Sequence, residues 1–491
     1  MQALSPRRAR TALVAIGAVS ELVYLLYFVR GYPLLRYYRT DIDLSGIDGH
    51  SHAGFVGFMV VFTVLFALLA AAWWCVRPLH DRATLCLILG FGALFSVTLT
   101  FVYPGTAIDI YTYIDQSRIM LHYHQNPIFA SPSQFPGDPL MPLSDGWAGK
   151  GAPYGPLGII LNALPMLVAG GNLLANLILL KLMYSAMSLG CAYLVYRIVR
   201  LVDTRYALTG ALLVAWNPLI LFEVGVNGHN DAAMMLLALL GVQSVVEGEL
   251  FFAVVLVVLS ALVKYATGLL LPLVVVFAVS HQPSLRSRLR FVLTAGVSSL
   301  LLVAAAYRPF WQGPDTLSRA LFENQLHLES FGSVLVTLLP GNMSVDRATF
   351  VGRILFIPLY LYALELASHD VRGFLRGCFL TMFGFLALGA NNVKIWYGVW
   401  PSMFAALIPS RLERAGALLF ALGISLTSGI YGYIWWWGGL HNFPQVNDAA
   451  YALAFVPGAL VITTACMRRS RPPTDVDEHA VASHPVEAPG T

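Results

Sequence analysis

Residues 83–118 read ATLCLILGFGALFSVTLTFVYPGTAIDIYTYIDQSR. The first twenty are almost wholly apolar, long enough to cross a hydrocarbon core of roughly 30 Å as a helix. A Pro-Gly turn follows, and then two carboxylates, Asp109 and Asp115, stand just past the membrane boundary. Apolar runs of that length recur along the chain, which is 57% hydrophobic and only 11% charged, with a mean hydropathy of +0.69. A soluble protein of 491 residues needs far more surface charge. A β-barrel would instead display weaker alternating segments of about ten residues. The fold class is therefore all-α, a polytopic membrane protein of about 13–14 crossings.

Charge placement orients those crossings. Arg7-Arg8-Arg10, Arg77 to Arg82, Arg197 to Arg205, Arg286-Arg288-Arg290, Arg372 to Arg376, Arg411-Arg414 and Arg468-Arg469-Arg471 all lie in short loops or at the termini. Basic short loops stay cytoplasmic, so these fall on one side with both termini inside the cell. The alternation requires a short or re-entrant helix at 156–169 and a break in the run 250–279 near Lys264. Four regions follow: 1–103, three N-terminal spans; 104–155, an external loop with juxtamembrane helices; 156–467, the remaining bundle with an external loop at 308–349; and 468–491, a disordered cytoplasmic tail. The first span, from about Thr11, lacks a small-residue cleavage site and reads as a retained helix. The five cysteines have no CxxC spacing and read as free thiols in or beside apolar spans.

The outer side gathers the unusual residues. Asp109 and Asp115 fit one short helix at the surface. Asp115 has Arg118 three residues on, the spacing of a surface ion pair. Asp109 has only a weak capping box with Thr106 to explain it locally. Otherwise it is a partly desolvated acid suited to accept a proton. His122 and His124 fall on opposite helix faces and make a poor metal pair. NGHNDA (227–232) supplies Asn227, His229, Asn230 and Asp231 where one cap needs one such residue. The surplus reads either as capping or as hydrogen bonding to a sugar. Lys264, flanked by SALV and YATGLLLPL, costs on the order of 3 kcal/mol at a helix centre unless it snorkels, finds a partner or meets an anion. Arg308 and Lys394 repeat the pattern at other outer span ends. Three cations on the side away from the basic loops suggest an anion-binding surface.

DIYTYI, the NP of HQNPIF, a Pro-rich loop with Trp147 and YGPL, NPLILFEVGVNGHNDA, ALVKYATGLLLPL and VKIWYGVWP occur in that order. This ensemble, over residues 100–400, resembles the bacterial polyprenyl-phosphate-mannose-dependent alpha-mannosyltransferases. These belong to the GT-C superfamily of integral-membrane glycosyltransferases, close to family 87 and to the alpha-1,6-mannosyltransferases. The resemblance implies transfer of a hexose, most readily mannose, from a polyprenyl-phosphate sugar to an extracytoplasmic glycan or glycolipid, with inversion and an aspartate base. It implies a site on the outer face of the cell membrane and no nucleic-acid partner. The position matching the family's aspartate is Asp109. The acidic loop here follows the third span rather than the first, which leaves Asp115 as the alternative base. Lys264, Arg308 and Lys394 are the candidate ligands of the donor phosphate. His229, Asn230, Asp231, Tyr113, Asn126 and Tyr154 are candidates for the sugar or acceptor. No cofactor is required; Asp109 or Asp231 could bind a divalent metal, but none is expected. The alternative from another class is a transporter or flippase of a lipid-linked sugar, which would place its charges at mid-membrane.

Overall fold

The computed structural model describes residues 5–320, 330–339, 343–438 and 444–469. Its regular structure is helical, apart from one isolated antiparallel bridge between Pro33 and Val102 among the described residues. Ten helices in these residues are long and apolar enough to cross a membrane, and shorter apolar helices complete the bundle. The chain is thus an all-α polytopic membrane protein.

In order, α1 (Pro6–Val29), α2 (His52–Val76) and α3 (Arg82–Thr100) precede a short buried helix, α4 (Asp109–Leu121). After a loop with two 3-10 turns come α5 (Pro156–Ala169), α6 (Leu173–Val202), α7 (Thr204–Val226), α8 (Asp231–Glu247), α9 (Leu250–Val263) and α10 (Tyr265–Ser280). Then follow α11 (Leu285–Phe310), α12 (Val345–His369), α13 (Val371–Gly389), α14 (Val399–Leu407), α15 (Arg411–Trp436) and α16 (Pro444–Met467). Side-chain caps start several of them: Asp81 accepts from the Thr84 amide at 2.9 Å, and Asp370 from the Gly373 amide at 2.7 Å. The central span is α7, buried along its length, whereas α11 lies at the edge with Leu293, Leu300 and Leu301 facing outward. An outward apolar belt of this kind is what a bilayer requires.

The basic loops meet at one end of the bundle, where Arg10 pairs with Asp81 at 2.9 Å and Arg376 with Glu413 at 2.6 Å. The opposite end holds the loop 104–155, the connector 227–230 and the turn 391–398. Two breaks shape that end. The run 250–280 stops at Lys264, whose backbone is extended (φ −151°, ψ 126°), and resumes as a 3-10 turn. α5 is only 14 residues long, about 21 Å, too short to span alone. The Gly155 amide just before it donates to the Val263 carbonyl at 3.2 Å, where α9 stops. A Cβ at Gly155 would lie 2.1 Å from the Leu262 carbonyl oxygen, so only glycine permits this approach. The expected tail lies outside the described residues from 470 on, as do 321–329 and 340–342 of the loop 308–349.

Candidate active site

Asp109 opens α4, and no local bond accounts for it. Ile108 occupies the N-cap without a side-chain cap bond, so the capping box with Thr106 does not form. Thr106 instead pairs with Asn227 across the connector, its hydroxyl accepting from Asn227 Nδ2 at 2.7 Å. The Asp109 carboxylate is 8% exposed and accepts from the Tyr154 hydroxyl at 3.0 Å. Burial raises its proton affinity above that of an ordinary carboxylate; Lys264, the Tyr154 hydroxyl and Lys394 oppose that rise, and Asp231 adds to it.

Asp109 stands where two cavities meet. The larger, about 510 Å³, is walled by Thr106, Asp109, Trp147, Lys394, Trp396 and Trp435, with Asp41 and Asp43 at its rim. The smaller, about 10 Å³, has room for about one water beside Thr112, Gln116 and Tyr154. A large aromatic cleft with a few converging polar groups is the usual form of a small-molecule site.

Behind Asp109 lies a tightly paired layer. Lys264 Nζ is 2.9 Å from Asp231 Oδ2, while the Trp400 indole donates to Asp231 Oδ1 at 2.5 Å. The ammonium also lies 5.2 Å from the Tyr397 ring centroid and 5.7 Å from that of Tyr154, within cation–π range. His229 is fully buried and stacks on Trp396 with centroids 4.2 Å apart. Its Nε2 lies 3.3 Å from Glu223 Oε2, and burial, followed by the Lys264 charge, pushes its basicity well down. Asn230 is buried, and neither atom of its amide has a hydrogen-bond partner among the described residues.

The candidates read from sequence therefore divide. Asp109, Tyr154, Lys264, Asp231 and Tyr113 come together, Tyr113 meeting Tyr154 edge-on at 5.2 Å. Lys394 lines the larger cleft, His229 stacks on its Trp396 wall, and Asn230, fully buried, lines neither cavity. Asn126 does not join them: its amide donates to the Phe310 carbonyl at 2.7 Å and ties the loop to the end of α11. Arg308 is exposed on that same turn and lines neither cavity. Asp115 lies elsewhere too. Six residues at 100° each turn it about 120° from Asp109, and it lines neither cavity.

The expected ion pair of Asp115 with Arg118 is not formed. Arg118 binds Asp138 of the long loop, Nε to Oδ2 at 2.7 Å. Asp115 Oδ2 is buried without a hydrogen bond among the described residues, and burial followed by the Asp138 charge pushes its proton affinity well up. Asp231 is no simple cap either, since both its oxygens are held by Lys264 and Trp400. Sequence reasoning gave no role to Glu223, Trp396, Trp400 or Lys181. Glu223 was visible as a lone acid in LILFEVGV; it accepts from Asn227 Nδ2 at 2.9 Å and so supports the Thr106 connection. Lys181, fully buried, donates to the carbonyls of Val102 and Thr100 at the end of α3.

Residues 36–280, half of the chain, match the family described as Alpha-(1->6)-mannopyranosyltransferase, N-terminal domain. Alpha-(1->6)-mannopyranosyltransferase A of Mycobacterium tuberculosis is 24% identical over 388 residues, covering 74% of this chain and 74% of that protein. The protein of the same name from Corynebacterium glutamicum is 25% identical over 205 residues, 41% of either chain. The matched segment runs from the loop between α1 and α2 through Asp109, the connector 227–230 and the Lys264 break. The chain belongs to the alpha-(1->6)-mannopyranosyltransferase family and is a membrane glycosyltransferase of the mannosyltransferase type.

Proposed function

We propose that the chain moves mannose from a polyprenyl-phosphate-mannose donor to a hydroxyl of an extracytoplasmic glycan or glycolipid, with inversion and with Asp109 as general base. The observation that supports this reading most is Asp109 itself: a buried carboxylate of raised proton affinity, exposed to the larger cleft, with Lys394 on the same wall. The acceptor hydroxyl gives its proton to Asp109 as its oxygen bonds to the anomeric carbon. The bond from that carbon to the phosphate oxygen breaks on the opposite face, and its electron pair leaves with the lipid phosphate. Lys394 balances the departing charge, with Lys264 behind it. Trp396 and Trp435 offer flat faces to a sugar ring. His229 backs that wall by stacking on Trp396. Because the leaving phosphate is already stabilised, orientation and one proton transfer carry the reaction, and the proposal includes no metal. The cleft lies at the end away from the basic loops, and the positive-inside rule supports an extracytoplasmic site with both termini inside.

The test uses the purified protein in lipid nanodiscs with radiolabelled polyprenyl-phosphate-mannose and a mannan acceptor. Asp109→Asn is expected to lower the initial rate by about 10²–10⁴-fold without lowering the melting temperature. Transfer by this variant at the parental rate overturns the assignment, and loss of transfer in Asp115→Asn alone moves the base to Asp115. A rate abolished by chelator and restored by a divalent ion overturns the metal-free mechanism.

A further inference from the structure

A second polar cavity lies at the other end of the bundle. α3 separates the two ends, and its 19 residues put them about 28 Å apart. This cavity, about 200 Å³, is formed where the end of α2, the turn after it and the starts of α7 and α15 meet. Its walls carry Arg77, His80, Arg205 and Arg411, with Trp73 and Tyr206 as apolar sides, and no carboxylate lines it. The acids adjacent to the lining in sequence are taken: Arg205 holds Asp203 through two bonds of 3.0 and 2.8 Å, Asp81 pairs with Arg10 at 2.9 Å, and Glu413 pairs with Arg376 at 2.6 Å. Arg77 is fixed in place, its guanidinium 5.3 Å from the Trp73 ring centroid and 4.8 Å from that of Trp74. Its Nε is buried with no hydrogen-bond partner among the described residues. Arg411 lies close enough that, after burial, its like charge is the second influence weakening the basicity of Arg77.

Two guanidinium groups held together repel each other, and a buried N–H without an acceptor forfeits its hydration. An oxyanion removes both penalties, and the planar guanidinium fork fits phosphate oxygens in pairs. The volume is below the roughly 300–1,000 Å³ of a drug-sized ligand site, so it suits one phosphate and its ester group rather than a whole lipid or nucleotide. We propose that this cavity is an anion site for a phosphate group, carried either by an anionic lipid headgroup or by free phosphate. It does not depend on the mannosyl-transfer reading.

The experiment takes the full-length protein purified in phosphatidylcholine nanodiscs. Native mass spectrometry then follows retention of phosphatidylglycerol, and thermal melting follows addition of inorganic phosphate. Variants are Arg77→Gln and Arg411→Gln, with Arg286→Gln, another exposed arginine at this end, as the control for general basic attraction. Arg411 is exposed, so its variant retains the fold even where Arg77→Gln fails to purify. Phosphatidylglycerol retained by the parent and bound about fivefold more weakly for each cavity arginine removed, with Arg286→Gln unchanged, supports a lipid headgroup as the source. Stabilisation by inorganic phosphate that disappears in Arg411→Gln supports the free anion. If neither anion distinguishes the parent from the cavity variants, or if Arg286→Gln weakens binding equally, the proposal is overturned.

Discussion

Lys264→Met separates what holds this site together from what operates on the substrate. Asp231 is fully buried, and Lys264, 12% exposed along its side chain, supplies the only cation paired with it among the described residues. Removing one partner of such a pair costs about 3–5 kcal/mol, because the remaining charge is left in a medium of low dielectric. Here the Trp400 bond to the other carboxylate oxygen moderates the loss, so the lower part of that range is expected. The double variant Lys264→Met/Asp231→Asn removes both charges of this pair, and its asparagine oxygen still accepts from Trp400. Replacing a whole buried pair by neutral groups is often close to neutral, so the double variant is expected within about 1–2 kcal/mol of the parent. Urea unfolding of the purified protein in mixed micelles reads these differences, and mannosyl transfer is measured on the same samples. On the proposed role of Lys264 in balancing the charge of the departing phosphate, stability is expected to return in the double variant while transfer does not. An unchanged midpoint for Lys264→Met refutes the pairing energetics. A stable double variant that transfers at the parental rate refutes the role of Lys264 in catalysis and leaves Lys394.

Three further outcomes follow from the same geometry. The Tyr154 hydroxyl favours ionised Asp109, so Tyr154→Phe raises the proton affinity of Asp109 further. A base acts only when ionised; the acidic limb of the kcat/KM profile therefore moves to higher pH, and an unmoved limb argues against Asp109 as the base. Gly155→Ala drives a methyl group against the Leu262 carbonyl and is expected to cost at least about 1–3 kcal/mol, read as a lower melting temperature. Asn227→Leu removes the amide that joins Glu223 to Thr106 and is expected to cost about 1–3 kcal/mol. A melting temperature equal to the parent's shows that this connection carries no stability.

The parts of the fold legible in the sequence were those set by a mismatch between a residue and its solvent. A lysine in a run of valines and leucines has few tolerable arrangements, and together with the alternation of the basic loops it located the break near Lys264. Asp109 stood out for the same reason, since an acid at the edge of an apolar span lacks an obvious local partner. The pairing of Asp115 with Arg118 failed because helical spacing reports only which groups can touch. Arg118 found a better partner twenty residues on, in a loop whose path depends on tertiary packing. Asn126 and Arg308 were polar residues in the right neighbourhood, but nothing in a sequence gives depth within a loop. Trp396 and Trp400 escaped notice because aromatic residues near a span end are the ordinary composition of a membrane interface. The role of Trp400 comes from α8 and α14 meeting at Asp231, and that of Trp396 from its turn stacking on His229, both properties of the assembled bundle.

The bond from the Gly155 amide to the end of α9 has a consequence for traffic through the site. A helix that stops short inside a membrane protein leaves carbonyls needing donors, and lipid has none to offer. The segment 152–155 answers that need, and Tyr265 adds a second tie by donating to the Tyr154 carbonyl at 3.4 Å. Swinging the segment aside would strip the Val263 carbonyl of its donor at a cost of several kcal/mol. It is therefore a fixed bulkhead carrying Tyr154 against Asp109, not a door. Asp109 also lines the larger cleft, whose other walls carry Asp41, Asp43, Tyr431, Trp435 and Trp436, so on the proposed function a substrate in that cleft meets Asp109 without displacing the segment 152–155.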